Sequence, residues 1–190
     1  MLATGCTGRS PQSDPPQTKT PTSSSPAAPA YVRACHDSVY GNLGPNWRRG
    51  EITLGPVTFV GLRSVESAKP GRFTAKSGTD QGQKVLAVVP NDTRVTISVS
   101  PAEHVALLYD PATFSAHAVD QGDRAVAFVS CKSGQSPFGA QAAGKPTQFK
   151  GGFLVDGPQC VTIEAHVSAG VTQTTSVPFG RGQSCTRGRR

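Results

Sequence analysis

Thr93-Arg94-Val95-Thr96-Ile97-Ser98-Val99-Ser100 is the stretch that decides the fold. Val95, Ile97 and Val99 alternate with Thr96, Ser98 and Ser100, the period of a strand with one dry and one wet face. Just upstream, Val85-Leu86-Ala87-Val88-Val89 is apolar throughout and stops at Pro90, which reads as a central strand covered on both sides. Asn91 and Asp92 supply the turn between the two, because their short polar side chains hydrogen-bond their own backbone and tolerate left-handed conformations.

The same period recurs outward. Strands are predicted at Ile52 to Arg63 (bent near Gly55-Pro56), Arg72 to Lys76, Val105 to Tyr109, Ala125 to Cys131, Phe149 to Val155, Cys160 to Val167 and Val171 to Val177. One short helix is expected near Pro111 to His117, and Lys132 to Lys145 reads as a mobile surface loop rich in Gly, Ser, Gln and Ala. Helical patterns of the kind a parallel sheet needs between its strands are missing, and the chain carries 21 Gly and 16 Pro against one Met and one Trp. The expected fold is therefore all-β: a two-layer antiparallel β-sandwich of about eight or nine strands, immunoglobulin-like or jelly-roll-like.

The cysteines set the compartment. Cys35, Cys131, Cys160 and Cys185 make an even number inside the folded region, and none lies within a few residues of another as zinc ligands would. They read as two structural disulfides formed in an oxidising compartment. Of the three possible pairings, Cys35 with Cys185 and Cys131 with Cys160 is favoured, because the outer two bracket the domain and chain termini often meet.

The fifth cysteine stands in Met1-Leu2-Ala3-Thr4-Gly5-Cys6, which resembles the cleavage box of bacterial lipoproteins, with Ala3 where that box usually carries Leu. The charged and apolar regions of a signal peptide are missing, so the reading takes residues 1–6 as the remnant of a signal peptide whose start lies upstream, with Cys6 as the lipidated residue. Residues 7–30 are almost entirely Ser, Thr, Pro, Gln and Ala, too poor in apolar surface to offset the entropy of ordering, and read as a disordered linker. In polyproline II at about 3.1 Å per residue such a linker reaches roughly 70 Å. The sandwich is assigned to residues 31–186 and a basic tail to 187–190.

Two stretches carry a wider resemblance. Phe149-Lys150-Gly151-Gly152-Phe153-Leu154-Val155 followed by Gly157-Pro158-Gln159-Cys160, and Gly55-Pro56-Val57-Thr58-Phe59-Val60-Gly61-Leu62-Arg63, resemble a group of uncharacterised actinobacterial exported proteins and lipoproteins. The resemblance covers most of the folded part and rests on glycine bends and a cysteine. It implies compartment and fold, and it transfers no activity and no site.

The formal charge of +7 suggests an acidic partner. Nucleic acid is disfavoured, because the basic residues are spread thinly and partly piled up at Arg181, Arg187, Arg189 and Arg190, with no helix or aromatic-bearing sheet signature beside them. Attraction to anionic headgroups or wall polymers explains the charge more simply. The chain has no G-x-S-x-G turn and no Gly-rich phosphate cradle, so neither a hydrolase nucleophile nor a cofactor is marked.

His104 with Asp110, and His117 with Asp120, are the pairs a loop-built hydrolytic site would use, and His36, His104, His117 and His166 offer imidazoles for Cu or Zn at spacings unlike those of ligand sets. His166 alternates outward with Glu164 and Thr162, as on a solvated strand face. The strongest surface candidate is Trp47-Arg48-Arg49 within Tyr40 to Gly50, since Trp, Tyr and Arg anchor interfaces and stack on sugars. The competing role for a lone Trp is to plug one end of the core. The sequence thus points to a non-enzymatic binding or structural module of the cell envelope, held to the membrane by a lipid on Cys6 and facing an anionic wall polymer or an envelope protein. The alternative is an envelope hydrolase or metal-binding protein with a dispersed site.

Overall fold

The computed structural model describes residues 1, 30–67, 83–167 and 170–185. Cys6, the linker assigned to 7–30 but for Ala30, the strand expected at Arg72 to Lys76 and the tail at 187–190 lie outside the described residues. The described strands are β1 (Tyr31–Arg33), β2 (Ile52–Leu54), β3 (Val57–Val60), β4 (Gln83–Val89), β5 (Arg94–Ser100), β6 (Val105–Leu107), β7 (Ala125–Val129), β8 (Thr147–Val155), β9 (Gln159–Val167) and β10 (Thr172–Phe179). They form two five-stranded sheets, one ordered β1-β7-β5-β9-β10 and the other β2-β3-β4-β8-β6, packed face to face. This is the expected two-layer β-sandwich.

Both deciding stretches take their expected places. Val95, Ile97 and Val99 of β5 are buried, while Arg94 and Ser100 at its ends are exposed. β4 lies between β3 and β8 in the middle of its sheet, with Val85, Ala87, Val88 and Val89 buried. The bend foreseen at Gly55-Pro56 is a hairpin turn that splits Ile52 to Arg63 into β2 and β3, with Gly55 at φ +57°, a value that suits a residue without Cβ. The foreseen helix shrinks to one 3-10 turn at Pro111–Thr113, its start capped by the Asp110 carboxylate, which accepts from the Ala112 N–H at 2.8 Å.

The exception to antiparallel pairing is β1, which runs parallel to β7 with Tyr31 beside Val126 and Arg33 beside Phe128. Three residues are too few to show a period, so nothing in the sequence marks this strand. Its pairing decides the disulfides. Cys35 leaves β1 where Cys131 leaves β7, with Cα atoms 4.6 Å apart, and the two are bonded. The β9–β10 hairpin sets Pro178 beside Cys160, and the chain returns Cys185 to bond Cys160 across a Cα separation of 5.6 Å.

The favoured pairing, Cys35 with Cys185 and Cys131 with Cys160, is therefore corrected. Cys35 sits by Cys131 beyond the Arg94 end of β5 and Cys185 sits by Cys160 beyond its Ser100 end, about 20 Å apart along the strand, too far for a disulfide. Cys131 and Cys160 follow and belong to β7 and β9, with β5 between them. The two bridges that do form place the domain in an oxidising, extracytoplasmic environment.

Between the sheets runs a chain of aromatic rings. Phe128 of β7 packs against Tyr109 and Phe149, each with a centroid separation of 5.0 Å, and Phe179 of β10 meets Phe153 of β8 at 5.7 Å. The Tyr109 ring lies directly over Gly151 of β8: a Cβ at position 151 would stand 2.2 Å from the ring. Gly151→Ala is expected to cost about 1–3 kcal/mol by overpacking, whereas Gly44→Ala, with nothing within 4 Å of its Cβ, should be nearly neutral. Urea denaturation of the two variants checks this.

Candidate functional site

The segment from Ser38 to Glu51 starts along the edge of β8 that β6 leaves open, where Val39 forms an antiparallel bridge with Gln148, and runs on to β2. Val39 N–H donates to the Gln148 carbonyl at 2.8 Å, and the Gln148 amide donates back to the Gly41 carbonyl at 2.9 Å, which fastens the segment to β8. Beyond Gly44 the backbone coils in consecutive turns, with Trp47 N–H bonded to Gly44 O, Arg49 N–H to Asn46 O and Glu51 N–H to Arg48 O. Gly50 closes the coil at φ +79°, and the Arg63 guanidinium donates to its carbonyl.

That coil leaves Trp47 half-buried and Arg48 and Arg49 exposed. The Arg48 guanidinium lies 4.7 Å from the centre of the Trp47 ring, a cation–π contact at the surface. Pro45, Asn46, Trp47, Arg48, Arg49 and Pro146 line an open groove of about 390 Å³. Trp47 is absent from the core, whose large buried side chains are Tyr109, Phe59, Phe128, Phe149, Phe153 and Phe179. The reading of Trp47 as a core plug is thus corrected: six other rings fill the interior.

Beside the groove lies a cluster that the sequence reading missed. The Lys132 to Lys145 loop is a series of turns anchored at both ends. Asp92 accepts from the N–H and hydroxyl of Ser133, hydrogen bonds that hold its carboxyl below the usual range. Phe138 stacks on Tyr40 with a centroid separation of 6.0 Å. Lys145 Nζ donates to the Tyr40 hydroxyl at 3.0 Å, and that hydroxyl donates to Gln141 O at 3.2 Å. The visible signal was a lone Phe in a Gly/Ser/Gln/Ala stretch, an apolar residue with no strand to serve.

The loop and the Ser38 to Glu51 segment share a root. One follows Cys131 and the other follows Cys35, and the Cys35–Cys131 bond ties their first residues together.

The histidines disperse. His104 Nδ1 faces Asp156 at 3.8 Å rather than Asp110, His36 sits 3.3 Å from Asp37, and the His117 N–H donates to the Gln121 side chain at 2.8 Å. His166 lies on the outer face of the first sheet, as expected, within 3.3 Å of Ser98 Oγ and 3.0 Å of Thr172 Oγ1. Glu164 reaches the same Nε2 as Ser98, at 3.4 Å. A relay from nucleophile through base to acid needs the two on opposite ring nitrogens, so this trio lacks the geometry of a catalytic triad.

Among the described residues, no group of three or more His, Cys, Asp or Glu is placed to hold a metal ion. Burial, followed by the charge of Asp110, raises the Asp123 carboxyl above its ordinary range, and its Oδ2 is buried without a partner. Asp123 lines neither the groove nor the hollow beneath the Lys132 to Lys145 loop. No family model, curated protein or solved structure matches the chain.

Trp47→Ala is expected to cost about 1 kcal/mol or less, as surface substitutions do, against about 3–5 kcal/mol for a core ring such as Phe149→Ala. Equilibrium unfolding of both variants distinguishes the two positions.

Proposed function

We propose that the protein is an extracytoplasmic binding module, lipid-anchored through Cys6 and carried on the linker at residues 7–30, that recognises an anionic wall polymer at Trp47, Arg48 and Arg49. The observation that carries this reading is the groove itself. A single exposed coil presents an aromatic face and two guanidinium groups, and no carboxylate lines it. Aromatic and Arg side chains concentrate binding energy at interfaces, and loops at the ends of a sandwich are free to present them without disturbing the core. The net charge of +7 adds a long-range pull toward polyanions.

The two disulfides fit a domain that works outside the cytoplasm, and the resemblance of Gly5-Cys6 and its neighbours to a lipoprotein cleavage box supplies the anchor. Expressed from its native gene, the protein should fractionate with membranes, and Cys6→Ser should release it to the medium. A wild-type protein that stays soluble refutes the anchor and leaves the binding site untouched.

Arg48→Ala combined with Arg49→Ala should leave the melting temperature nearly unchanged, because exposed charges contribute little to stability. Capture on isolated cell-wall material should fall about tenfold or more at low salt, with the gap closing as salt screens the wild-type contacts. Equal capture by both proteins at low salt would remove the site.

A further inference from the structure

The groove and the neighbouring cluster are one surface. Pro146 lines both the groove at Trp47 and the hollow beneath the loop, where Tyr40, Phe138 and Lys145 meet. Each half sets a cation beside an aromatic side chain: Arg48 lies 4.7 Å from the Trp47 ring centre, and Lys145, 5.3 Å from that of Tyr40, donates to its hydroxyl. No Asp or Glu is among the residues that line either half, while Arg48, Arg49 and Lys145 are.

We propose that this surface is a two-subsite platform for an acidic glycan, a chain of sugar rings bearing carboxylate or phosphate substituents, with one subsite at Trp47/Arg48/Arg49 and the other at Tyr40/Phe138/Lys145. The proposal rests on the groove being the recognition site and adds the second subsite and the ligand class. The pairing of ring and cation selects the ligand. A bare polyanion uses only the positive charges, which Lys or Arg supplies without an aromatic partner. A sugar ring turns an apolar C–H face to the π-face of Trp47 or Tyr40 while its acidic substituent meets the adjacent cation.

A membrane surface fits less well. No Leu, Ile, Met or Phe lines the groove at Trp47, and in the second half Phe138 is half-buried against Tyr40, which is 37% exposed. Insertion into lipid wants exposed aliphatic side chains alongside the cations. Single-stranded nucleic acid offers both stacking faces and phosphates, but the disulfides set the domain in a compartment apart from it.

The two subsites hold their relative position through a covalent root. The segment bearing Trp47 and the loop bearing Phe138 and Lys145 start from Cys35 and Cys131, bonded with Cα atoms 4.6 Å apart. Two weak subsites on one rigid base act on one chain as a multivalent contact, so each should matter to the affinity of the whole.

The test is calorimetric titration of the full chain with five probes: an oligogalacturonate, its fully methyl-esterified counterpart, inorganic polyphosphate, an oligothymidylate and phosphatidylglycerol vesicles. The expected result is tightest binding to the oligogalacturonate, with the neutral ester at least about tenfold weaker for want of the charge-assisted contacts. Lys145→Gln should weaken oligogalacturonate binding about five- to tenfold, leaving the melting temperature unchanged, and Tyr40→Ala should weaken it similarly. Lys145 is exposed, so its variant keeps the test sound even if Tyr40→Ala loosens the loop.

If Arg48→Ala with Arg49→Ala abolishes oligogalacturonate binding while Lys145→Gln and Tyr40→Ala bind as wild type, the second subsite is refuted and the groove stands. Polyphosphate, oligothymidylate or vesicles bound as tightly as the oligogalacturonate would overturn the glycan class. Wild-type binding by the double Arg variant, or no binding to any probe, would overturn both the groove and this extension.

Discussion

The Tyr109 ring resting on the bare backbone of Gly151 is the contact around which the two sheets settle. Glycine leaves room for the phenol to reach the inner face of β8, and its hydroxyl donates to the carbonyl of Val85, the residue paired with Gly151 across the strands. Full burial raises that hydroxyl far above the ordinary range and keeps it a donor at every pH the fold meets. The Tyr109 carbonyl in turn accepts from the Arg33 guanidinium at 2.7 Å, and the same guanidinium donates to the Asp37 carbonyl at 2.7 Å. A three-residue strand is thereby held to the opposite sheet by a buried cation, and Phe128 closes the arrangement from the other side. Arg33 is 3% exposed, its guanidinium donating to two backbone carbonyls while its Nε has no hydrogen-bond partner. Such a charge is costly to bury, so its carbonyl partners must stay in place, and they fix where β1 lies.

The legible part of this fold was the part that repeats locally. Val95, Ile97 and Val99 announce a face because a strand imposes its period on neighbours two residues apart; β5, β7, β8, β9 and β10 fall where that period placed them, and β4 where an unbroken apolar run did. What escaped depends on residues distant in sequence. Arg33 reaches Tyr109 across 76 positions, and Cys35 reaches Cys131 across 96. The rule that termini meet failed because β1 and β10 occupy opposite edges of the same sheet. The candidate site divides in the same way: Tyr40, Trp47, Arg48 and Arg49 stand in one segment that the sequence marks, whereas the pairing of Tyr40 with Lys145 spans 105 residues and leaves no local signal. Whether Trp47 was core or surface turned on a count that composition alone does not settle, namely whether six Phe and Tyr rings already fill the interior.

The outer face of the first sheet marks the contrast with a site. Thr96, His166 and Thr172 share one cross-strand row, Ser98, Glu164 and Thr174 the next, and Ser100, Thr162 and Ser176 the third. Small hydroxyls beside one imidazole and one carboxylate satisfy each other, as the His166 contacts to Ser98, Thr172 and Glu164 show. Such a face stays wet, because small polar side chains make up its rows and the exposed apolar side chains near it, Val32 and Val171, stand at its two edges. The surface at Trp47 is built the other way, from like charges that repel one another and find no acid within their own groove. Like charges gathered without a counter-charge raise the free energy of the unliganded state, and an anion relieves that cost on binding.

One covalent bond joins that electrostatic arrangement to the architecture. The Cys35–Cys131 bridge sits where β1 and β7 end, and the two segments that carry the cations leave from it. Without it, a parallel pair of three residues and the Arg33 contacts alone would hold β1 against β7. The bridge closes a span of 96 residues, and constraining the unfolded chain over such a loop is worth about 4–5 kcal/mol on the chain-entropy model. The same bond, with the hydrogen bonds that fasten Val39 and Gly41 to Gln148 of β8, sets the distance between Tyr40 and Phe138. Stability and recognition therefore draw on one feature at this edge. The Cys160–Cys185 bridge, at the far edge of the sheet, returns the chain end to β9 and touches neither loop. Loss of either bond weakens the fold, and only the first borders the two segments that carry the cationic surface.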